Sequence, residues 1–296
     1  MNFIGAALPT LALMLSVLTG STQSIVSTGG SLQSKNLRST VRQGSNTTYF
    51  DLMRMVLPDL QFDPDEPNMG IAHHTISFRQ ITEKGAAGRL EGNLKITSFE
   101  EQWITSRGRQ ILILMLDLAG EGINEATPYE GEATLLAVFS LEPTLRLIDR
   151  LDIKTDRFTS FWEKPPVFQL DSQNSAFVVY SSHFNAGENY NDVSLWFLDG
   201  QRLKMITSIF LLNTQGCGAT FSETPDFRAL PGASSKYPKI MVRVKLRKEA
   251  DTRECDDRTP GYTRYYQSVF SWSRAKAEYQ GNSRQLEALD KFNRER

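Results

Sequence analysis

Thr159-Ser160-Phe161-Trp162-Glu163 has two echoes in the chain: Thr97-Ser98-Phe99-Glu100-Glu101 upstream and Ala219-Thr220-Phe221-Ser222-Glu223 downstream. What stands beside each copy decides the fold class. Each is followed by an apolar run: ILILMLDL from Ile111, AFVVYSSH from Ala176 and IMVRVKL from Ile240, with starts 65 and then 64 residues apart. A polar connection comes next, then a second run (LLAVFSL from Leu135, VSLWFL from Val193, YYQSVFSW from Tyr265). A short turn follows: Glu142-Pro143-Thr144, Asp199-Gly200-Gln201 and Ser273-Arg274-Ala275. A third run closes the unit, from Leu145, from Leu203 and, more weakly, from Lys276. Asp-Gly is a hairpin signal, because a type I′ turn needs positive φ.

β-Branched and aromatic residues fill these runs, as a pleated, half-buried surface favours. Helical periodicity is confined to Ser283–Arg296, where Ser283 reads as N-cap and Leu286, Leu289 and Phe292 share one face. An earlier, degenerate unit spans Tyr49 to Ile96, with strands expected at Thr75–Ile81 and Leu90–Ile96. The chain therefore reads as all-β, built from repeated antiparallel meanders of about 60–65 residues, β-propeller-like, with a short C-terminal helix. The alternative is a large β-sandwich or open meander whose hairpins resemble one another by chance.

The body occupies residues 49–296 on this reading. Residues 1–24 have the plan of a secretory signal peptide: an uncharged apolar stretch from Phe3 to Leu18, then small and polar residues from Gly20 to Ser24. Residues 25–48 are rich in Ser, Thr, Gly, Gln and Asn and read as a flexible tether. The expected location is periplasmic or extracellular, with no transmembrane anchor after processing. With 33 basic and 34 acidic residues, bulk charge offers nothing to draw a nucleic acid.

Three acidic connections follow the first strands. The first carries Glu121, Glu125, Glu130 and Glu132; the second, NAGENYND, carries Glu188 and Asp192; the third carries Glu249, Asp251, Glu254, Asp256 and Asp257. Convergent carboxylates are hard-cation ligands, so Glu130, Glu188, Asp192 and Asp256 are candidate metal ligands and calcium the ion they would take. No Asp-x-Asp-x-Asp spacing occurs, and solvated loops are the competing reading. Cys217 and Cys255 are the two cysteines, and the meander order puts both at one end, where a disulfide could join neighbouring units. His183 ends a first strand beside the acidic connection, and Trp162 stands in a connecting strand; both are candidate ligand-binding residues. Trp196 and Trp272 fall in second strands and read as core. Glu100 and Glu101, as strand neighbours, should diverge.

No nucleophile elbow, zincin motif or P-loop is present. The sequence thus points to an exported β-repeat protein acting as a non-enzymatic binding scaffold for a protein, small-molecule or glycan ligand. The alternative is an extracytoplasmic hydrolase or lyase with a divalent cation on its acidic loops.

Overall fold

The computed structural model describes residues 36–66, 69–73, 76–80, 87–90, 94–120, 133–153, 158–162, 167–216, 219–231, 237–250 and 260–296. All lie in one compact unit, Lys35–Arg296; the expected signal segment lies outside the described residues. Helix α1 (Tyr49–Val56) comes first. The strands β1 (Gln61–Phe62), β2 (Gly70–Ala72), β3 (Ile76–Gln80), β4 (Ala87–Leu90), β5 (Leu94–Ser106), β6 (Arg109–Gly120), β7 (Ala133–Ser140) and β8 (Arg146–Asp152) form one sheet. A second sheet holds β9 (Phe158–Phe161), β10 (Val167–Gln169), β11 (Ser175–Asn185), β12 (Glu188–Asp199), β13 (Arg202–Gly216), β14 (Ala219–Ala229), β15 (Ile240–Ala250), β16 (Tyr262–Ser273) and β17 (Glu278–Gly281). Helix α2 (Gln285–Glu295) ends the chain.

Two expectations for the N-terminal part are corrected. The tether does not extend to residue 48: Leu37 and Val41 are buried, and Thr40 bridges Thr48. Nor does a strand unit begin at Tyr49. Thr48 Oγ1 accepts the Asp51 N–H at 3.2 Å while the Asp51 carboxylate accepts the Thr48 N–H at 2.8 Å, a capping box that starts α1. Leu52, Met53 and Val56 of α1 then cover the first sheet together with Leu37.

Strand β6 explains the sandwiching of that sheet. Its residues Ile111 to Leu116 are all buried, which an alternating strand achieves only when both faces are covered. Leu112, Leu114, Leu116 and Leu118 face α1, while Ile111, Ile113 and Met115 join Phe161, Phe177, Val179 and Trp196 between the two sheets. The divergence of Glu100 and Glu101 follows from the same alternation. Glu101 accepts a hydrogen bond from Tyr49 of α1, and Glu100 Oε2 accepts the Phe161 N–H at 3.0 Å on the opposite side.

The second sheet turns back on itself. β13 pairs with β14 only over Thr214–Gly216. β14 then crosses the face of β11–β13, so that Phe227 stacks at 6.4 Å on Phe168 of β10, on the far edge of β11. The layer β14–β17 and α2 thereby bury Val178, Val193, Leu195, Ile209 and Leu211 from one side, with Ile240, Val242, Val244 and Leu289 from the other. Alternate residues of β15, Arg243, Lys245 and Arg247, are left on the outer face of the stack, and charge there terminates it as a polar capping face does in stacked folds.

The expected strand order within each meander appears in the pairings β6–β7–β8, β11–β12–β13 and β15–β16–β17. Separate four-stranded blades do not: the second and third meanders share one sheet, and among the described residues neither sheet closes. Each echo segment pairs antiparallel with a first strand: β5 with β6, β9 with β11 and β14 with β15. The Asp199-Gly200 turn is a two-residue hairpin in which only Gly200 has positive φ, so it is not the expected type I′ form. That form occurs instead at Arg107-Gly108 and Ala186-Gly187, where both residues have positive φ. At the C-terminus Arg284, not Ser283, precedes the first turn of α2, although Ser283 Oγ accepts the Gln285 N–H at 3.3 Å.

Candidate functional site

The β11–β12 turn, the last residues of β13, the first of β14 and the last of β15 lie at one end of the second sheet, since Asn185 opposes Glu188, Glu188 opposes Thr214, Gly216 opposes Ala219 and Ala219 opposes Ala250. Of the three acidic connections, residues 121–132 and 251–259 lie outside the described residues. Glu130, Asp256, Cys217 and Cys255 go with them. The expected Cys217–Cys255 bridge therefore lies outside the described residues.

The second acidic connection is not a loop. β11 runs to Asn185 and β12 starts at Glu188, so NAGENYND is a tight hairpin whose carboxylates stand on a strand. Glu188 and Asp192 lie four residues apart, about 13 Å along an extended chain. That separation cannot be closed around one ion with ligand distances of about 2.3–2.6 Å. Glu188 instead accepts a hydrogen bond from Tyr190, which raises the Tyr190 hydroxyl above its ordinary pKa. Among the described residues no group of three or more His, Cys, Asp or Glu side chains is placed to hold a metal ion.

The two candidate ligand-binding residues lie on opposite faces of the second sheet. His183 opposes Tyr190, its ring 6.3 Å away, on the face that also carries Thr159, Ser181 and Asp192. Trp162 lies on the other face, edge-on to Tyr180 at 5.3 Å. The structure therefore does not bring His183 and Trp162 together.

It builds something else around Trp162. In β9 and the residue after it, Phe158, Ser160 and Trp162 share one face; in β11, Tyr180, Ser182 and Phe184 share the same face. The register sets Phe158 opposite Ser182 and Ser160 opposite Tyr180. Aromatic rings thus alternate between the two strands, with a serine opposite Phe158 and another opposite Tyr180. Trp162 and Tyr180 are half-buried, whereas Phe158 and Phe184 are 62% and 69% exposed, the two most exposed large hydrophobic side chains among the described residues. Phe184 opposes Asn189, and Asn191, next on that face, accepts the Tyr180 hydroxyl bond. From Phe158 to Asn213, which opposes Asn189 on β13, the face carries no charged side chain on β9, β11 or β12 at this end. Sequence reasoning singled out Trp162 alone. The available signal was the paired spacing aromatic-x-Ser-x-aromatic at 158–162 and 180–184.

The buried charge beside this face is structural. Once β14 departs, the edge of β13 lacks a partner strand, and side chains replace it. The Glu223 carboxylate accepts the Leu212 N–H at 3.1 Å and the Asn293 amide at 2.8 Å. Asn293 also donates to Phe210 O at 3.2 Å, and Arg296 Nη2 donates to Leu212 O and, at 3.3 Å, to Glu223. Burial raises the Glu223 pKa against these bonds and lowers that of Arg296. In the first sheet Asp117 accepts hydrogen bonds from Ser98 and from Thr134 Oγ1 (3.0 Å), and burial likewise raises its pKa.

No protein-family model matches the chain, no curated protein matches it, and no solved structure matches its fold.

Proposed function

We propose that this protein is an exported, non-enzymatic binding scaffold that engages its ligand through the turn-bearing end of the second sheet. One observation carries the reading: the aromatic face of β9 and β11, uncharged at this end among the described residues, on which Phe158 and Phe184 are largely exposed beside the half-buried Trp162 and Tyr180. Large apolar side chains grouped at a surface mark interaction sites more often than scattered ones do. Export is supported by the apolar stretch Phe3–Leu18 and its small-residue boundary; among the described residues no helix is long and apolar enough to cross a membrane. A propeller-like array of stacked meanders is the finer architectural reading. It is supported by the apolar layers that lie between the first and second meanders and between the second and third.

Thermal-shift screening of the full chain and of a Phe158→Ala/Phe184→Ala variant tests the function. The panel contains neutral oligosaccharides, acidic oligosaccharides, extended peptides and divalent cations. A stabilising ligand whose effect is lost in the variant is the expected result. Hydrolysis of a panel member, suppressed by a chelator, would replace the scaffold with the cation-dependent hydrolase.

A further inference from the structure

We infer that the zigzag of rings on β9 and β11 takes a neutral oligosaccharide chain, laid along the strands with its pyranose faces on the aromatic rings; this rests on the scaffold reading above. Three features of the surface select that ligand class.

The first is charge. The positions that form the face are Phe158, Ser160, Trp162, Tyr180, Ser182 and Phe184, with Asn189 beside them; none of these residues carries a carboxylate or an ammonium group, and the Tyr180 hydroxyl is bonded to Asn191. In a chain with 23% charged residues, an exposed face that among the described residues carries no carboxylate or ammonium at this end does not suit an anionic polymer or a metal. Glu188 and Asp192 of β12 point to the opposite face, and Asp199, on the same side as Asn189, stands at the far end of β12, where it accepts the Tyr237 hydroxyl bond.

The second is the alternation of rings with hydroxyls. Across the ladder each of the two central rungs pairs an aromatic ring with a serine. Directly opposed side chains stand about 4.5–5.5 Å apart at Cβ and diagonal ones about 7–8 Å, so the rings follow one another at about the rise of two strand residues, ~6.8 Å. A pyranose chain presents the same alternation of apolar C–H faces and equatorial hydroxyls. Ser160 and Ser182 each provide one donor and two acceptors to such hydroxyls, and the Asn189 amide provides both kinds.

The third is area. An aromatic side chain can bury about 150–250 Å², so Phe158 and Phe184 at 62% and 69% exposure offer roughly 300 Å² between them. A stable protein partner needs ~800 Å² on each side. Trp162 and Tyr180 continue the track but are half-buried, and β14 crosses the sheet face beyond them. A narrow track ending against a crossing strand fits a chain ligand rather than a flat protein surface.

Isothermal titration of the full chain with cellohexaose, chitohexaose and maltohexaose, with hexagalacturonate as the acidic comparator, tests the proposal, alongside intrinsic fluorescence from Trp162. At least one neutral hexasaccharide should bind, hexagalacturonate should not, and Phe184→Ala and Phe158→Ala should each weaken binding by about tenfold, the equivalent of one aromatic stacking contact. Both rings are exposed, so each variant should melt within a degree or two of the parent. Binding of no neutral hexasaccharide overturns the sugar assignment, as does preferential binding of hexagalacturonate. Saccharide binding that both alanine variants retain overturns this surface as the site. The broader reading fails separately: if peptides in the thermal-shift panel stabilise the chain and the double variant abolishes that, only the ligand class is wrong, and if no ligand effect depends on Phe158 or Phe184 the binding face itself is wrong.

Discussion

Removing the Glu223 carboxylate should be among the most damaging single changes available in this fold. Its side chain is fully buried and holds three donors at once: the Leu212 N–H, the Asn293 amide and Arg296 Nη2. In Glu223→Ala the Leu212 N–H loses its acceptor, a loss of about 1–3 kcal/mol for a buried group. Arg296, with 13% side-chain exposure, becomes a buried cation without its counter-charge, and breaking a buried pair in this way costs about 3–5 kcal/mol. The two effects overlap, because Arg296 keeps Leu212 O and Asn293 Oδ1 as acceptors. A total near 4 kcal/mol is expected, a large share of the roughly 5–15 kcal/mol that stabilises a domain. Glu223→Gln keeps one acceptor but turns an NH₂ toward the other donors, and should cost about 1–2 kcal/mol. Glu223→Leu combined with Arg296→Met removes both charges and should recover most of the loss, because replacing a buried pair outright is often close to neutral. Urea unfolding followed by tryptophan fluorescence measures all three, with constant m-values confirming that only stability changed. A cost below about 1 kcal/mol for Glu223→Ala, or a double variant no more stable than the single, would refute the view that this network stands in for a missing strand on β13.

Three further outcomes are expected. Gly187 sits at φ +92°, and a Cβ there would lie 3.2 Å from Gln215 O, so Gly187→Ala should cost about 1–3 kcal/mol in urea unfolding; a neutral result would mean the β11–β12 turn is not the type I′ hairpin described. Trp196→Ala should cost about 3–5 kcal/mol, since the indole is 2% exposed between the two sheets and its Nε1–H bonds Ser194 Oγ at 2.7 Å; a small loss would contradict the face-to-face packing. Burial raises the Asp117 pKa above its ordinary 3.8, so this group's contribution to stability is fully present below 3.8 and is lost as pH rises through the raised folded-state value. The stability of the parent relative to Asp117→Asn should therefore increase as pH falls from neutral toward 3.8, and a difference that stays flat or shrinks in paired urea titrations would contradict the raised pKa.

The strands of the three meanders were legible because they depend on local pattern. Continuous apolar runs such as ILILML require burial on both faces, and β-branched and aromatic residues suit a pleat wherever the strand ends up. The C-terminal helix was legible from Leu286, Leu289 and Phe292 for the same kind of reason. Helix α1 carried a readable signal in Thr48-x-x-Asp51, which the Ser- and Thr-rich composition around it obscured. The Asn185–Asp192 segment read as an acidic loop because its residues are polar; Ala186 and Gly187 turn it into a hairpin, and the tertiary register decides which of its side chains face which layer.

Strand content and the even charge balance are thus properties of the sequence itself, set by residue types and by periodicities of two and 3.6 residues. Whether successive meanders separate into blades or continue in one sheet is not, because it depends on where β13 stops bonding β14. The aromatic face of β9 and β11 is likewise a product of register. Phe158 and Phe184 stand 26 residues apart in the chain, and a slip of one residue in that pairing would send one set of side chains to the opposite face.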